Sequence, residues 1–196
     1  MANDSAVFFG QFVRSPGTTG AVAPSSRRLA RAIASPVPER GEPVIVELGP
    51  GTGAFTAEIQ HRLGGRGHHL AVEINAKLAE LLSGRHPGAE IVVDDAAELP
   101  RILAERGLER ADAVISGLPW AAFPPAVQDR LLSAITGVLA PEGAFTTFAY
   151  VHARTLPPAL RFRRLLASTF EEVVPSRTVW GNLPPAFVYH ARRPRA

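Results

Sequence analysis

Apolar residues in this chain recur in two rhythms, one of short runs and one of helical spacing, and the two alternate. Val44 to Leu48 is a short apolar run rich in β-branched residues, and Ala54 to Leu63 has the spacing of an amphipathic helix. His69 to Glu73 then predicts a strand, Ala76 to Leu82 a helix, Glu90 to Val93 a strand and Glu98 to Glu105 a helix. Ala111 to Ser116, Pro125 to Val138 and Gly143 to Tyr150 continue as strand, helix and strand. Parallel neighbours in a sheet need crossover connections, so this alternation predicts an α/β fold, a mostly parallel sheet with helices on both faces. The end of the chain departs from the pattern. A helix around Leu160 to Ala167 precedes two strands, Phe170 to Val179 and Ala186 to His190, joined by the turn Gly181-Asn182-Leu183-Pro184-Pro185. These close the sheet as an antiparallel pair, for seven strands in all.

The segment before Pro43 reads differently. Ala6 to Arg14 carries Val7, Phe8, Phe9, Phe12 and Val13, which gather on one side of a helix. After Ser15-Pro16-Gly17, either Ser25 or Ser26 caps a second helix from Arg27 to Ala34, which Ser35-Pro36-Val37-Pro38 breaks. The 196 residues are the size of one domain, and a chain of this length buries roughly 70% of its unfolded surface. The division within it is an N-terminal helical segment, residues 1–40, and a core, residues 43–196.

Composition narrows the chemistry. Apolar residues are 46% and charged residues 20%, as in soluble globular proteins. With no cysteine, disulfides, thiolate metal sites and cysteine nucleophiles are excluded, and no metal site is expected. The start of the chain lacks the features of a signal peptide and no apolar run approaches a membrane span, so a cytoplasmic protein is expected, soluble or resting on the inner face of a membrane. The net charge of +3 hides an asymmetry. Five arginines face two acids before Gly41, fourteen acids outweigh seven arginines and Lys77 from 41 to 150, and eight arginines face Glu171 and Glu172 thereafter. Basic ends of this kind attract anionic partners. Arginine also outnumbers lysine twenty to one, which points equally to a general bias toward arginine on solvated surfaces.

Four short stretches carry candidate chemistry. In Val44-Ile45-Val46-Glu47-Leu48-Gly49-Pro50-Gly51-Thr52-Gly53, an apolar strand runs into three alternate glycines and then a helix. Glycine there permits left-handed turns and close backbone approach to a ligand, which in open α/β sheets lies beyond the carboxyl ends of the strands. The spacing is not that of pyrophosphate binders, and Glu47 suits a cationic amino-acid ligand better than a phosphate. Glu73, at the end of the second strand, is placed to accept both hydroxyls of a ribose. After the third strand, Asp95 can bind an adenine amino group and the Ala96 amide a ring nitrogen. The fourth strand ends in Ser116-Gly117-Leu118-Pro119-Trp120, where Trp120 offers an aromatic face to a cationic or developing-cation nitrogen.

Together these motifs resemble the class I S-adenosylmethionine-dependent methyltransferases, whose Rossmann-like fold ends in such a strand pair. More narrowly, the chain resembles bacterial phospholipid N-methyltransferases, relatives of ribosomal RNA adenine dimethyltransferases. That match rests on Phe8-Phe9-Gly10-Gln11-Phe12, Thr19-Gly20-Ala21-Val22-Ala23-Pro24-Ser25-Ser26, the Ser116 loop, Phe148-Ala149-Tyr150 and Val179-Trp180-Gly181-Asn182-Leu183-Pro184-Pro185-Ala186. The resemblance implies that S-adenosyl-L-methionine is held by Glu47, Gly49, Gly51, Gly53, Glu73, Ile74, Asp95, Ala96 and Ser116. It implies an acceptor site around Trp120, Tyr150 and His152, the last two being candidate bases, although a desolvated amine needs none. The Asn-Pro-Pro-Tyr or Asn-Leu-Pro-Tyr of amino-methylating enzymes is replaced by Ser116-Gly117-Leu118-Pro119-Trp120, which lacks the side chain that would grip a flipped adenine. The expected substrate is therefore a phospholipid amine such as phosphatidylethanolamine. A soluble small-molecule amine stays open as the alternative, with a nucleic-acid enzyme or a non-catalytic cofactor-binding module behind it. No nucleic acid and no obligate protein partner are expected. Residues 1–40 are expected to be a lid, a peripheral contact with anionic membrane, or both.

Overall fold

Alternation of side chains along each strand decides which face it supplies, and the register between strands then assembles two separate apolar layers. The computed structural model describes residues 25–195. Its strands are β1 (Val44–Leu48), β2 (His68–Val72), β3 (Glu90–Val92), β4 (Ala111–Ser116), β5 (Leu139–Tyr150), β6 (Phe170–Pro175) and β7 (Ala186–Pro194). Its α-helices are α1 (Arg27–Ile33), α2 (Ala54–Leu63), α3 (Ala76–Arg85), α4 (Leu99–Ala104), α5 (Pro125–Val138) and α6 (Pro157–Thr169). The sheet order is β3-β2-β1-β4-β5-β7-β6, with β1 to β5 parallel and β7 antiparallel to both β5 and β6. This is the Rossmann-like arrangement with a terminal antiparallel pair.

On one face, Val46, Leu48, Val114, Phe145, Phe187 and Tyr189 pack with residues of α4, α5 and α6. On the other, Ile45, Ala113, Ile115, Ala186 and Val188 pack with α1 and α2. Phe145 is at the centre of the first layer, stacked on Phe170 at 5.9 Å and meeting Trp120 edge-on at 5.7 Å.

Local chemistry sets several boundaries. Ser26, not Ser25, caps α1, accepting the Leu29 amide at 3.2 Å. Asn75 caps α3 by accepting the amides of Lys77 and Leu78. The last helix starts earlier than its apolar spacing predicts because Pro157 is pre-shaped for a first helical position. The predicted helix at Glu98 to Glu105 divides into a 3-10 turn, Ala96–Glu98, and α4. The strand expected at Phe170 to Val179 ends at Pro175, and Val179 only bridges Ala186.

The expectation of a lid or membrane-contact segment over residues 1–40 divides in the same way. Leu29 and Ile33 of α1 are fully buried, and the Thr146 hydroxyl of β5 donates to the Ile33 carbonyl at 2.8 Å. This helix is part of the layer covering the sheet. The apolar cluster from Val7 to Val13 lies outside the described residues.

Phe145→Ala removes a fully buried ring that two other aromatic rings contact. It is expected to lower unfolding free energy by about 3–5 kcal/mol, read by chemical denaturation.

Candidate active site

In an open α/β sheet the strand order reverses at one point, where loops leaving neighbouring strands part and open a crevice. Here that point lies between β1 and β4. The Gly49 amide donates to Val72 at 3.0 Å and the Gly117 amide to Leu48 at 2.8 Å, so the two loops are sewn to their neighbours as they leave the sheet. Gly49 has φ +64°, and a Cβ on it would meet Leu118 Cδ2 at 2.7 Å. A Cβ on Gly117 would lie 2.6 Å from the Gly49 carbonyl oxygen. The crossing is built for glycine on both sides.

Two cavities meet there, sharing Gly49 and Leu118. The smaller, about 30 Å³, is a slot lined by Ile74, Asp94, Asp95, Ala96 and Phe123. The larger is a chamber of about 660 Å³ lined by Gly51, Trp120, Phe148, Tyr150, His152, Arg154, Phe162 and Tyr189 among others. The structure thus brings Gly49, Gly51, Ile74, Asp95 and Ala96 to the cavity walls, and Trp120, Tyr150 and His152 to one chamber. Glu47, Gly53, Glu73 and Ser116 stand behind those walls.

Each has partners that explain its place. Glu73 is buried beneath the glycine loop, accepting the amides of Gly51 at 3.3 Å and Asn75 at 2.9 Å. Burial pushes its carboxyl above the ordinary range, the backbone amides of Asn75, Gly51 and Ile74 pull it back, and Glu47 adds a further push upward. Glu47 is also fully buried; its Oε2 is 3.1 Å from His69 Nε2, and its Oε1 has no partner. His69 Nδ1 in turn accepts from Gln60 at 2.7 Å, which makes Nε2 the protonated nitrogen that donates to Glu47. Asp95 accepts the Ala97 amide through Oδ1 and pairs with Arg130 through Oδ2, both at 3.0 Å. Each carboxylate oxygen keeps a lone pair for one more donor. Gly53, with φ +86°, opens α2, and its position is crowded by His86 and Leu82.

Ser116 does not face a cavity. Its hydroxyl oxygen accepts Trp120 Nε1 at 3.0 Å and the Leu118 amide at 3.3 Å. Trp120 is 2% exposed, stacked on Phe162 at 4.9 Å, and its carbonyl accepts Gln128 Nε2 at 2.6 Å. The open aromatic face expected of Trp120 is thus covered on one side by Phe162, and the ring is a packed wall of the chamber. Tyr150 stacks on exposed His152 at 5.6 Å. Burial raises the Tyr150 hydroxyl above its usual range, so it stays protonated at neutral pH.

Sequence reasoning missed Tyr189, Arg154 and Phe162. Tyr189 arrives from β7 opposite Thr147, and Phe162 from α6, placements that only the register and packing reveal. Among the described residues, Arg154 is the one charged side chain in the chamber lining, which holds no acid, and it makes no ion pair. Among the described residues no cluster of His, Asp and Glu has the arrangement of a metal site. The site can therefore take a polar ligand at the slot and along the glycine loop, and a second, largely apolar molecule in the chamber.

The profile of a known family, described as a methyltransferase domain, matches residues 45–143. An ornithine lipid N-methyltransferase from Singulisphaera acidiphila is 34% identical over 195 residues, covering 96% of each chain. Among solved structures, human methyltransferase-like protein 13 in complex with SAH superposes with a TM-score of 0.64 at 18% identity, covering 85% of this chain and 81% of that one. An O-methyltransferase from Bacillus cereus in complex with SAH gives 0.66 at 12% identity, covering 98% and 93%. At these identities the structural likeness is one of fold.

Gly117→Ala forces a methyl group against the Gly49 carbonyl and parts the two loops. The expected result is a stability loss of about 1–3 kcal/mol in thermal or chemical unfolding, as for other overpacked sites.

Proposed function

We propose, from the premise that the chain belongs to the methyltransferase-domain family and is an S-adenosylmethionine-dependent methyltransferase, that its acceptor is the amine of a membrane lipid. The observation that carries the reading is the chamber: large, mostly aromatic and aliphatic, without an acid, and joined to the slot at Gly49 and Leu118. An amino lipid brings an amine beside an anionic group, a phosphodiester or a carboxylate, and an apolar chamber with one arginine suits that pair of charges. The name of the Singulisphaera relative, ornithine lipid N-methyltransferase, supports the class. Phosphatidylethanolamine is a headgroup of the same kind and our candidate among phospholipids.

The residues present fit the cofactor. In this proposal Asp95 and Ala96 hold the adenine in the slot with Ile74 against it, Glu73 takes the ribose hydroxyls, and Gly49 and Gly51 let the backbone approach. Glu47, buried behind the wall with its Oε1 unpartnered, sets a negative charge toward the amino group of the methionine end. Gly53 and Ser116 act at one remove, Gly53 by shaping the loop and Ser116 by fixing Trp120. When bound, S-adenosylmethionine supplies a methyl group on a sulfonium, already activated for displacement. What the chain adds is alignment and exclusion of water, effects that can supply about 7–11 kcal/mol of barrier lowering. Trp120, Phe148 and Phe162 form the dry wall against which an amine is desolvated, favouring its neutral, nucleophilic form. His152 at the rim can accept the proton the amine gives up, and Arg154 holds the anionic group of the headgroup.

The direct test is to incubate the protein with methyl-labelled cofactor and a total lipid extract. Label in the organic phase is the expected outcome; transfer to soluble amines with none to lipid overturns the proposal. Glu73→Ala is expected to weaken cofactor binding by about 2–4 kcal/mol in calorimetry, from lost charge-assisted hydrogen bonds. In the unsubstituted protein, affinity falls as acidification protonates Glu73, and the raised pKa moves that fall to a higher pH than an ordinary glutamate would show. Arg154→Ala is expected to raise KM for a lipid acceptor about tenfold, with cofactor affinity unchanged, as for loss of one charge-assisted contact.

A further inference from the structure

Beyond the cavities, the feature without a role is the connection from β6 to β7. At its tip Trp180 and Leu183 are each 73% exposed, although a tryptophan is ordinarily among the more buried residues. The loop beneath them is firmly held. Asn182, buried, accepts the Ser26 amide through Oδ1 at 2.9 Å and donates through Nδ2 to the Pro184 carbonyl at 2.8 Å. The Pro185 carbonyl accepts the Val151 amide at 2.9 Å. These bonds place the loop beside the chamber mouth, since Ser25, Tyr150 and His152 line the chamber. Leu156, 52% exposed, belongs to the same rim.

Among the described residues, charge around this rim has one sign. Arg27 and Arg28 of α1, Arg154 and Arg177 are all exposed, and Gly181 packs near the Arg28 side chain. No acid occurs in residues 25–38, 151–170 or 173–196, which build the rim. The nearby acids Glu171 and Glu172 lie at the opposite end of β6, where both pair with Arg193. Exposed tryptophan and leucine amid unopposed arginines is the composition of a surface that enters the headgroup region of an anionic bilayer, where apolar burial and charge attraction add.

We propose that this rim docks the protein on an anionic lipid surface, with Trp180 and Leu183 entering the interface and the chamber mouth opening toward the bilayer. The proposal deepens the lipid-acceptor reading and rests on it, for docking in this orientation would present a headgroup to the chamber without removing the lipid from the membrane. It is distinct from any contact made by residues 1–24.

The test uses the full chain with vesicles of phosphatidylglycerol in phosphatidylcholine, including vesicles with brominated acyl chains. The chain has two tryptophans, and Trp120 is buried, so quenching by bromolipid reports Trp180. Binding that weakens with salt, together with quenching, is expected. Trp180→Phe should keep the binding and lose the quenching. Trp180→Ser with Leu183→Ser should weaken vesicle binding by roughly tenfold or more, with melting temperature and cofactor affinity unchanged. Vesicle binding without quenching, or a double variant that binds as well as the parent, overturns the proposal. So does a parent that ignores vesicles and instead self-associates through this loop. Docking with quenching in a protein that methylates no lipid leaves the surface standing and removes the acceptor reading; methylation of a dissolved short-chain lipid without docking does the reverse.

Discussion

Two backbone segments leave neighbouring parallel strands at the centre of the sheet, and between them there is no room for a side chain. The Gly49 carbonyl and the Gly117 α-carbon are close enough that a methyl group on the latter would fall at 2.6 Å. Both segments are tied by backbone hydrogen bonds to the strands beside them, which leaves no slack to absorb a bulkier residue. The slot, the chamber and the passage between them all take their shape from this crossing. Leu118, seated against Gly49, lines both cavities.

Around the crossing the protein keeps two carboxylates in an apolar setting. Glu47 and Glu73 are both fully buried, and burial, with a smaller push from Glu47, raises the cost of ionising Glu73. Backbone amides offset part of that cost at Glu73, and His69 contacts one Glu47 oxygen, but the other Glu47 oxygen remains without a partner. A buried polar atom left unpaired costs on the order of 1–3 kcal/mol, so ligand-free folding carries a penalty that a cationic, hydroxylated ligand can relieve. On the proposed reading that relief is part of the affinity for the cofactor.

The chamber makes the opposite choice. Its walls are aromatic rings packed on one another, Trp120 on Phe162 and Phe148 on Tyr150, and among the described residues its charge is confined to a single arginine. On the proposed reading, acidic residues would stabilise an ammonium and hold it unreactive, whereas an acid-free apolar wall favours the neutral amine that can attack. Among the described residues the same absence of acids continues out to the rim, so on the proposed reading the polarity that suits the reaction also suits approach to an anionic surface.

The rhythm of apolar residues located all seven strands and the helices after Pro43, because alternation and helical spacing are properties of consecutive residues. The glycine loop was equally legible, since three alternate glycines after an apolar strand constrain the backbone wherever it lies. What the sequence left open depends on strand register and crossover. Glu47 could be read as a candidate ligand group, but its contact with His69 exists because β2 lies beside β1 with Ile45 opposite His69. Trp120 looked like a free aromatic face, and only the packing of α6 places Phe162 over it. Tyr189 and Arg154 reach the chamber from a terminal strand and a loop far from the glycine motif, and nothing in their neighbours announces it. Sequence by itself determined which segments are strands and helices and where the backbone must turn. Tertiary structure decided which side chains meet, because those meetings are set by packing between elements whose separation along the chain carries no local signal.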